Sequence, residues 1–437
     1  MWPYHPDLLS TPVPRYTSYP TAAEFGQGVN TTDFTTALES TSGDVSLYVH
    51  IPFCESICWY CGCNTSRTNR RERLESYLDA LHREIALVGA RLSPDARVRR
   101  IAFGGGSPNA ISPTDFVRLM LSLTQGFRLD DPVLSIELDP RTMDEAWAGA
   151  LGGVGVTRAS LGVQTFEPAL QEAIGRVQPV HRIEDCTTLL RKAGVTSLNF
   201  DLMYGLPGQT NRDLEATLDR STALGADRIA LFGYAHVPQL IPRQRRIDGS
   251  ALPDQHARFG MAAMGHQILV EAGYTPVGFD HFALPGDPLA HAAMSGQLHR
   301  NFQGFTDDAA SVVIGLGASA ISSFPTLLAQ NEKNTGRYRM MMSQDRFSVI
   351  CGTRRSRDDQ LRSNIIERLL CDGHVVIGDT ILADTAYRLE PFIDRGVAKI
   401  EGNHVSLASD GLPYARAIAA IFDAYRGGST GRFSSAV

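Results

Sequence analysis

Between about residues 46 and 282, short apolar and β-branched runs alternate with longer stretches of helical period. Six strand candidates fall at 46–51, 99–103, 134–138, 158–163, 197–203 and 228–232. Amphipathic segments such as 71–90, 113–123, 183–193 and 212–224 separate them. A strand followed by a helix, repeated six times, predicts parallel strands, because parallel neighbours need a long helical crossover. Both a barrel and an open doubly wound sheet meet this pattern. Past Ala283 the periodicity becomes irregular. From about Arg357 it turns helical, with helices expected over 358–370 and 384–392, a hairpin at 397–400 and 404–407, and a helix over 412–425. The expected organisation is an N-terminal extension (1–45), the βα region (46–285), a connecting region that completes the active site (286–356), a helical C-terminal domain (357–427) and a Gly/Ser-rich flexible tail (428–437).

Polar residues punctuate the strand ends. Glu137, Gln164 and Asp201 each stand at or near the end of a different apolar run, and Tyr48 and His50 lie two apart on the first, so they share a face. Parallel α/β folds build their sites at the C-terminal ends of strands, so all five are expected at one mouth. Any one carboxylate would equally suit a helix cap or an arginine partner; it is the coincidence of strand-end positions that points to a site.

Composition narrows the class. The 437 residues are 43% hydrophobic and 20% charged, enough for a large core in about two or three domains. A net charge of −6 argues against nucleic acid as a partner, and the C-terminal helices with their hairpin lack the basic recognition helix that a DNA-binding winged helix would need. No apolar run approaches the ~18 residues of a membrane span. The start, Met1 to Pro6, lacks the basic and apolar regions of a signal peptide, and with seven cysteines a reducing cytoplasm is expected.

Cys54, Cys58, Cys61 and Cys63 crowd into ten residues directly after the first apolar run. Soft thiolates favour iron–sulfur clusters, zinc or Cu(I). Structural zinc usually takes two cysteine pairs about 12–20 residues apart, and no second pair follows here. Three thiolates on one loop would leave one iron of a 4Fe-4S cubane open to a small molecule. Cys186, Cys351 and Cys371 are scattered and read as ordinary buried thiols. After the second strand comes Gly104, Gly105, Gly106, Ser107, Pro108 and Asn109, a run whose glycines let main chain approach a ligand. The last glycine of a dinucleotide fingerprint is missing, and alone the triplet would serve equally as a tight turn.

The segment 48–63, with Tyr48, His50, Pro52, Cys54, Cys58, Tyr60, Cys61, Gly62 and Cys63, resembles the cluster loop of radical S-adenosylmethionine (SAM) enzymes. Among these it is most similar to the oxygen-independent coproporphyrinogen III oxidases, with the similarity running from 14–20 to about Leu412. Related heme chaperones lack the fourth cysteine. The resemblance implies an α/β fold: a partial (βα)6 radical SAM barrel with an N-terminal strap and a small, mostly helical C-terminal domain. It implies a 4Fe-4S cluster on Cys54, Cys58 and Cys61, with Tyr48, Tyr60, Gly105, Glu137 and Ile321 contacting the SAM bound to it. Gly106, Ser107, Gln164, Arg176, Asp201 and Ala235 match contacts to a second SAM. Ser107 stands where the family has threonine and keeps the hydroxyl. His50 and Cys63 match positions needed for activity without being ligands, and Gln303 becomes a site residue, with Arg15 and Arg300 as partners for propionates. The implied reaction is the oxidative decarboxylation of two propionates of coproporphyrinogen III to vinyls, through a 5′-deoxyadenosyl radical, in heme biosynthesis. A low-potential donor such as flavodoxin or ferredoxin, and a cytoplasmic monomer, complete the expectation. A heme chaperone or heme-trafficking protein on the same scaffold is the alternative.

Overall fold

The apolar runs build one central sheet in a computed structural model that describes residues 2–68 and 71–426; the tail expected at 428–437 lies outside the described residues. Its inner strands are β1 (Gly43–Ile51), β2 (Ala96–Gly105), β3 (Leu129–Leu138), β4 (Arg158–Gln164), β5 (Ser197–Tyr204) and β6 (Arg228–Gly233). Each pairs in parallel with the next in chain order. A doubly wound sheet reverses its strand order at a switch point. No reversal occurs here, and the six units form a partial barrel.

A helix follows every one of these strands: Arg71–Arg91, Pro113–Gly126, Glu145–Val154, Val180–Lys192, Asn211–Ala223 and Gln255–Glu271. Local chemistry sets several starts. Ser112, Asp144 and Asp254 each accept a first-turn N–H, and Thr210 forms a capping box with Asp213. The helix Glu145–Val154 is hard to read from sequence because Gly149, Gly152 and Gly153 dilute its apolar period.

The sheet continues beyond the six units, in part through the stretch past Ala283, irregular in its pattern. Strands β7 (Thr275–Val277) and β8 (His281–Ala283) extend it antiparallel beyond β6. On the other side β9 (Val312–Leu316) pairs in parallel with β1, followed by antiparallel β10 (Ile321–Phe324), β11 (Leu327–Asn331) and β12 (Val349–Arg354). These last four escape a periodicity reading because they are short, and β9 and β11 are buried along their whole length, so nothing alternates.

Near the C-terminus the helices Arg357–Cys371 and Asp379–Asp394 form, and the expected hairpin, Ala398–Glu401 with His404–Leu407, gains a third strand, His374–Val376. The helix expected over 412–425 is instead three short turns, Leu412–Tyr414, Ala415–Ala419 and Ala420–Phe422. All eight residues of the last two are buried, so tertiary packing rather than an amphipathic face shapes them. Cys186 and Cys371 are buried as expected, whereas Cys351 is half-buried because β12 is an edge strand. The N-terminal segment laces onto these elements: Tyr16 donates to Asp423 at 3.0 Å, and Tyr19 accepts from the Ala424 N–H at 2.9 Å. Among the described residues no helix is long and apolar enough to cross a membrane.

Candidate active site

The C-terminal ends of the barrel strands surround a cavity of about 470 Å³. Cys54, Cys58, Tyr60, Cys61 and Cys63 line one side of it; Gly105, Gly106, Ser107, Glu137, Gln164, Arg176, Asp201 and Ala235 line the rest. Four of the residues named from sequence are placed differently. Tyr48 and His50 pack against the glycines: a Cβ on Gly104 would stand 2.8 Å from the Tyr48 hydroxyl, and one on Gly105 2.5 Å from the His50 ring. Of the five side chains expected at one mouth, Glu137, Gln164 and Asp201 line the cavity, and Tyr48 and His50 abut the glycine run beside it. Ile321 packs its backbone against Gly315, the register partner of Tyr48. Gln303 lines an adjoining cavity of about 190 Å³, which shares Glu137, Ser160, Asp201 and Phe232 with the first.

The cysteine loop is pinned at its ends by pairing of Phe53–Cys54 with Ser66–Arg67, and in its middle by the Trp59 N–H donating to Ile174 at 3.1 Å. Cys54 Sγ lies 3.2 Å from Thr65 Oγ1, and burial pushes its thiol up to about 11. Cys58 Sγ accepts from Arg176 at 3.2 Å and Arg141 at 3.7 Å, two guanidiniums aimed at one sulfur. Hydrogen bonding from Cys63 lowers Cys61 to about 6; the same bond, with burial, raises Cys63. All seven cysteines are free. Among the described residues no three His, Cys, Asp or Glu side chains converge on a point suited to one ion. A cubane offers each thiolate its own iron and needs no such convergence. Three loop thiolates, two guanidiniums to offset their negative charge and an open cavity beside them fit a 4Fe-4S cluster with SAM against it.

Strand-end geometry supplies the opposite wall. Gly105, at φ 116°, donates its N–H to Glu137 at 3.2 Å, and a side chain there would strike His50. Burial raises Glu137 to about 7 and depresses His50 to about 4, so the imidazole is neutral. Gln164 sits at φ 67°, where the β4–β5 register slips; the bulge turns its side chain toward the cavity. Asp201 accepts from Ser160 at 2.9 Å and Asn199 at 2.8 Å, while burial raises its pKa. Arg176 is tied to the Gly162 carbonyl at 2.7 Å and to Asp139 at 3.4 Å. Burial would raise Asp139, but Arg176 and Arg141 outweigh it and hold it at about 2. Asp139 and Arg141 were missed by sequence reasoning. Their signal was an acid and a base flanking Pro140, two residues past Glu137.

Cys63 also lines the cavity, its N–H 3.4 Å from Cys61 Sγ. We expect Cys63→Ser to keep the iron content and visible spectrum of the reconstituted protein while decarboxylation is lost. Loss of iron in that variant would make Cys63 a ligand instead.

The fold and the cysteine loop define a radical SAM protein, and the radical SAM superfamily model matches residues 48–220. Over its length the chain is 40% identical to the oxygen-independent coproporphyrinogen III oxidase of Bradyrhizobium diazoefficiens, covering 94% of both. It is 37% identical to that of Pseudomonas aeruginosa, covering 94% of this chain and 93% of the relative. The solved coproporphyrinogen III oxidase of Escherichia coli superposes with a TM-score of 0.91 at 33% identity, over 97% of this chain and 99% of that one. The chain belongs to the oxygen-independent coproporphyrinogen III oxidase family.

Proposed function

We propose that this protein converts coproporphyrinogen III to protoporphyrinogen IX without oxygen. Each of two propionates loses one hydrogen atom, carbon dioxide and an electron, leaving a vinyl group. The carrying observation is the loop of three thiolates opening into a cavity walled by strand-end polar groups. The cluster and SAM, when bound, supply the hydrogen-abstracting radical. Cys54, Cys58 and Cys61 hold the cluster, and Arg176 and Arg141 offset its charge at Cys58. Gly105 and Gly106 bring main chain to the cofactor, with Tyr60, Ser107 and Glu137 around it. Gln164, Asp201 and Ala235 would receive a second SAM, Asp201 through ribose hydroxyls. Tyr48 and His50 pack beside Gly104 and Gly105, and Ile321 beside the register partner of Tyr48. Neutral His50 and the protonated Cys63 thiol are each able to move a proton, and Gln303 faces the substrate from the adjoining cavity. A cytoplasmic monomer fed by a flavodoxin or ferredoxin completes the reading, with residues 1–45 as a strap and 357–427 as a cover.

Anaerobic reconstitution tests the proposal. A brown protein that forms vinyl product, 5′-deoxyadenosine and carbon dioxide only with coproporphyrinogen III supports it; tight heme binding without turnover favours a chaperone. Asp201→Ala should cut turnover about 10–100-fold, the worth of a lost charge-assisted hydrogen bond, at unchanged iron content. Full activity in that variant would remove the case for a second cofactor.

A further inference from the structure

A third cavity, of about 70 Å³, adjoins the first and shares Arg15, Phe232 and Gly233 with it. The end of β6, the helix Gln255–Glu271, the N-terminal strap and the C-terminal turns enclose it. Its wall carries three guanidiniums, Arg15, Arg258 and Arg416. A fourth stands beside it: Arg300 lies over the rings of Phe279 at 4.9 Å and Phe305 at 4.3 Å.

Three of these four guanidiniums lack an ion-pair partner among the described residues: Arg15, Arg258 and Arg300 have no carboxylate within 4.0 Å. Arg15 reaches only the Gly233 carbonyl, at 3.4 Å, and Arg300 only the Arg15 carbonyl, at 3.0 Å and 3.1 Å. Arg258 Nε and Arg300 Nη1 are buried without a hydrogen-bond partner. The one acid in the wall, Asp280, is engaged by His281 at 2.7 Å. Burial and the neighbouring guanidinium of Arg15 push Arg416 down to about 10.

The cavity that holds Gln303 makes the contrast. It too carries three arginines, Arg100, Arg158 and Arg228, but Asp307, Asp308 and Asp287 pair with them at 2.7–3.4 Å. Those arginines are neutralised within the fold. Arg258 is half-buried and Arg15 exposed, but the buried, unpartnered Nε of Arg258 is costly, and an anionic ligand removes that cost.

We propose that this third cavity receives a carboxylate arm of the substrate, remote from the propionate that reacts, with Arg258 as its central partner and Arg15 bridging to the cofactor cavity. This rests on the reading of the substrate as a tetrapyrrole bearing several propionates. The volume suits an arm rather than a ring system. Phe232, Phe279 and Phe282 offer its methylenes an apolar wall, and Gly233 leaves room for Arg258, whose Nη2 would stand 3.2 Å from a Cβ there. A guanidinium fork matches a carboxylate in two hydrogen bonds, which a lysine only partly replaces.

The test is binding of coproporphyrin III to the reconstituted holoenzyme, followed by quenching of porphyrin fluorescence. At equal iron content, Arg258→Gln should weaken Kd, and KM for coproporphyrinogen III, by about 10–100-fold, and Arg258→Lys should recover part of the loss. On wild-type protein, coproporphyrin III tetra-amide should compete at least about tenfold more weakly than the free acid, a readout that needs no folded variant. A wild-type enzyme that turns over while Arg258→Gln binds and reacts within twofold of it overturns the pocket, as does a tetra-amide that competes equally. A wild-type protein that binds coproporphyrin III through Arg258 but decarboxylates nothing overturns the proposed reaction and leaves the pocket standing.

Discussion

Cys58→Ser should abolish turnover and strip most of the iron from the reconstituted protein. Cys58 is 5% exposed, and its sulfur faces two guanidiniums, Arg176 at 3.2 Å and Arg141 at 3.7 Å. A serine hydroxyl does not ionise in this range and is a hard, weak ligand for iron. The positive field that favours a thiolate and a negatively charged cluster would then stand unopposed against a neutral side chain. Iron and sulfide analysis, with the visible spectrum, checks the result. Full cluster content in Cys58→Ser together with its loss in Cys63→Ser would reverse the ligand assignment.

Glu84→Ala should cost at least about 3 kcal/mol of stability, because three buried donors lose their acceptor at about 1–3 kcal/mol each. Glu84, on the helix Arg71–Arg91, is 2% exposed and accepts from the Gly317 N–H at 2.5 Å, Asn331 Nδ2 at 2.7 Å and the Tyr338 hydroxyl at 2.7 Å. Beside it the Tyr77 hydroxyl accepts from the Ala318 N–H and donates to the His50 carbonyl at 2.7 Å. Glu84 thus anchors the turn after β9 to the helix Arg71–Arg91, and Tyr77 of that helix ties the same turn to the strand that carries Tyr48 and His50. Urea or thermal unfolding measures the loss.

The same residue makes stability depend on pH. Burial raises Glu84 from 4.5 to about 7, against the pull of its three donors. The folded state therefore holds a proton that the unfolded chain releases. That contribution is fully present below about 4.5 and disappears as pH rises through about 7. The wild-type margin over Glu84→Gln should narrow by about 2–3 kcal/mol between pH 5 and 8. A margin independent of pH would mean the carboxyl is already ionised at pH 5.

Much of the barrel is legible because its signals are local. Each parallel strand is an apolar run, each crossover a helical period, and three of the strands carry a polar residue at or near the end, Glu137, Gln164 and Asp201. The cysteine spacing is equally local, since ten residues of loop place the ligands together whatever surrounds them. Where that locality fails, the reading fails. Strands β9 to β12 are short and, in β9 and β11, wholly buried, so neither length nor alternation distinguishes them from loop. The turns over 412–422 bury every side after Tyr414 and lose the helical stripe.

Linear order determined that this chain folds as successive βα units and that a thiolate loop follows the first of them, because short-range periodicity and spacing carry both facts. Three-dimensional packing decided which polar groups meet. Arg176 lies 118 residues from the sulfur it touches, Asp139 37 from Arg176, and Glu84 233 from the Gly317 amide. It also decided that Tyr48 and His50 pack against Gly104 and Gly105, and that Arg15 and Arg416, from opposite ends of the chain, share a cavity with Arg258. Such pairings follow from strand order and register, which no local pattern encodes, and from the cost of burying charge, which acts only once the neighbours are in place.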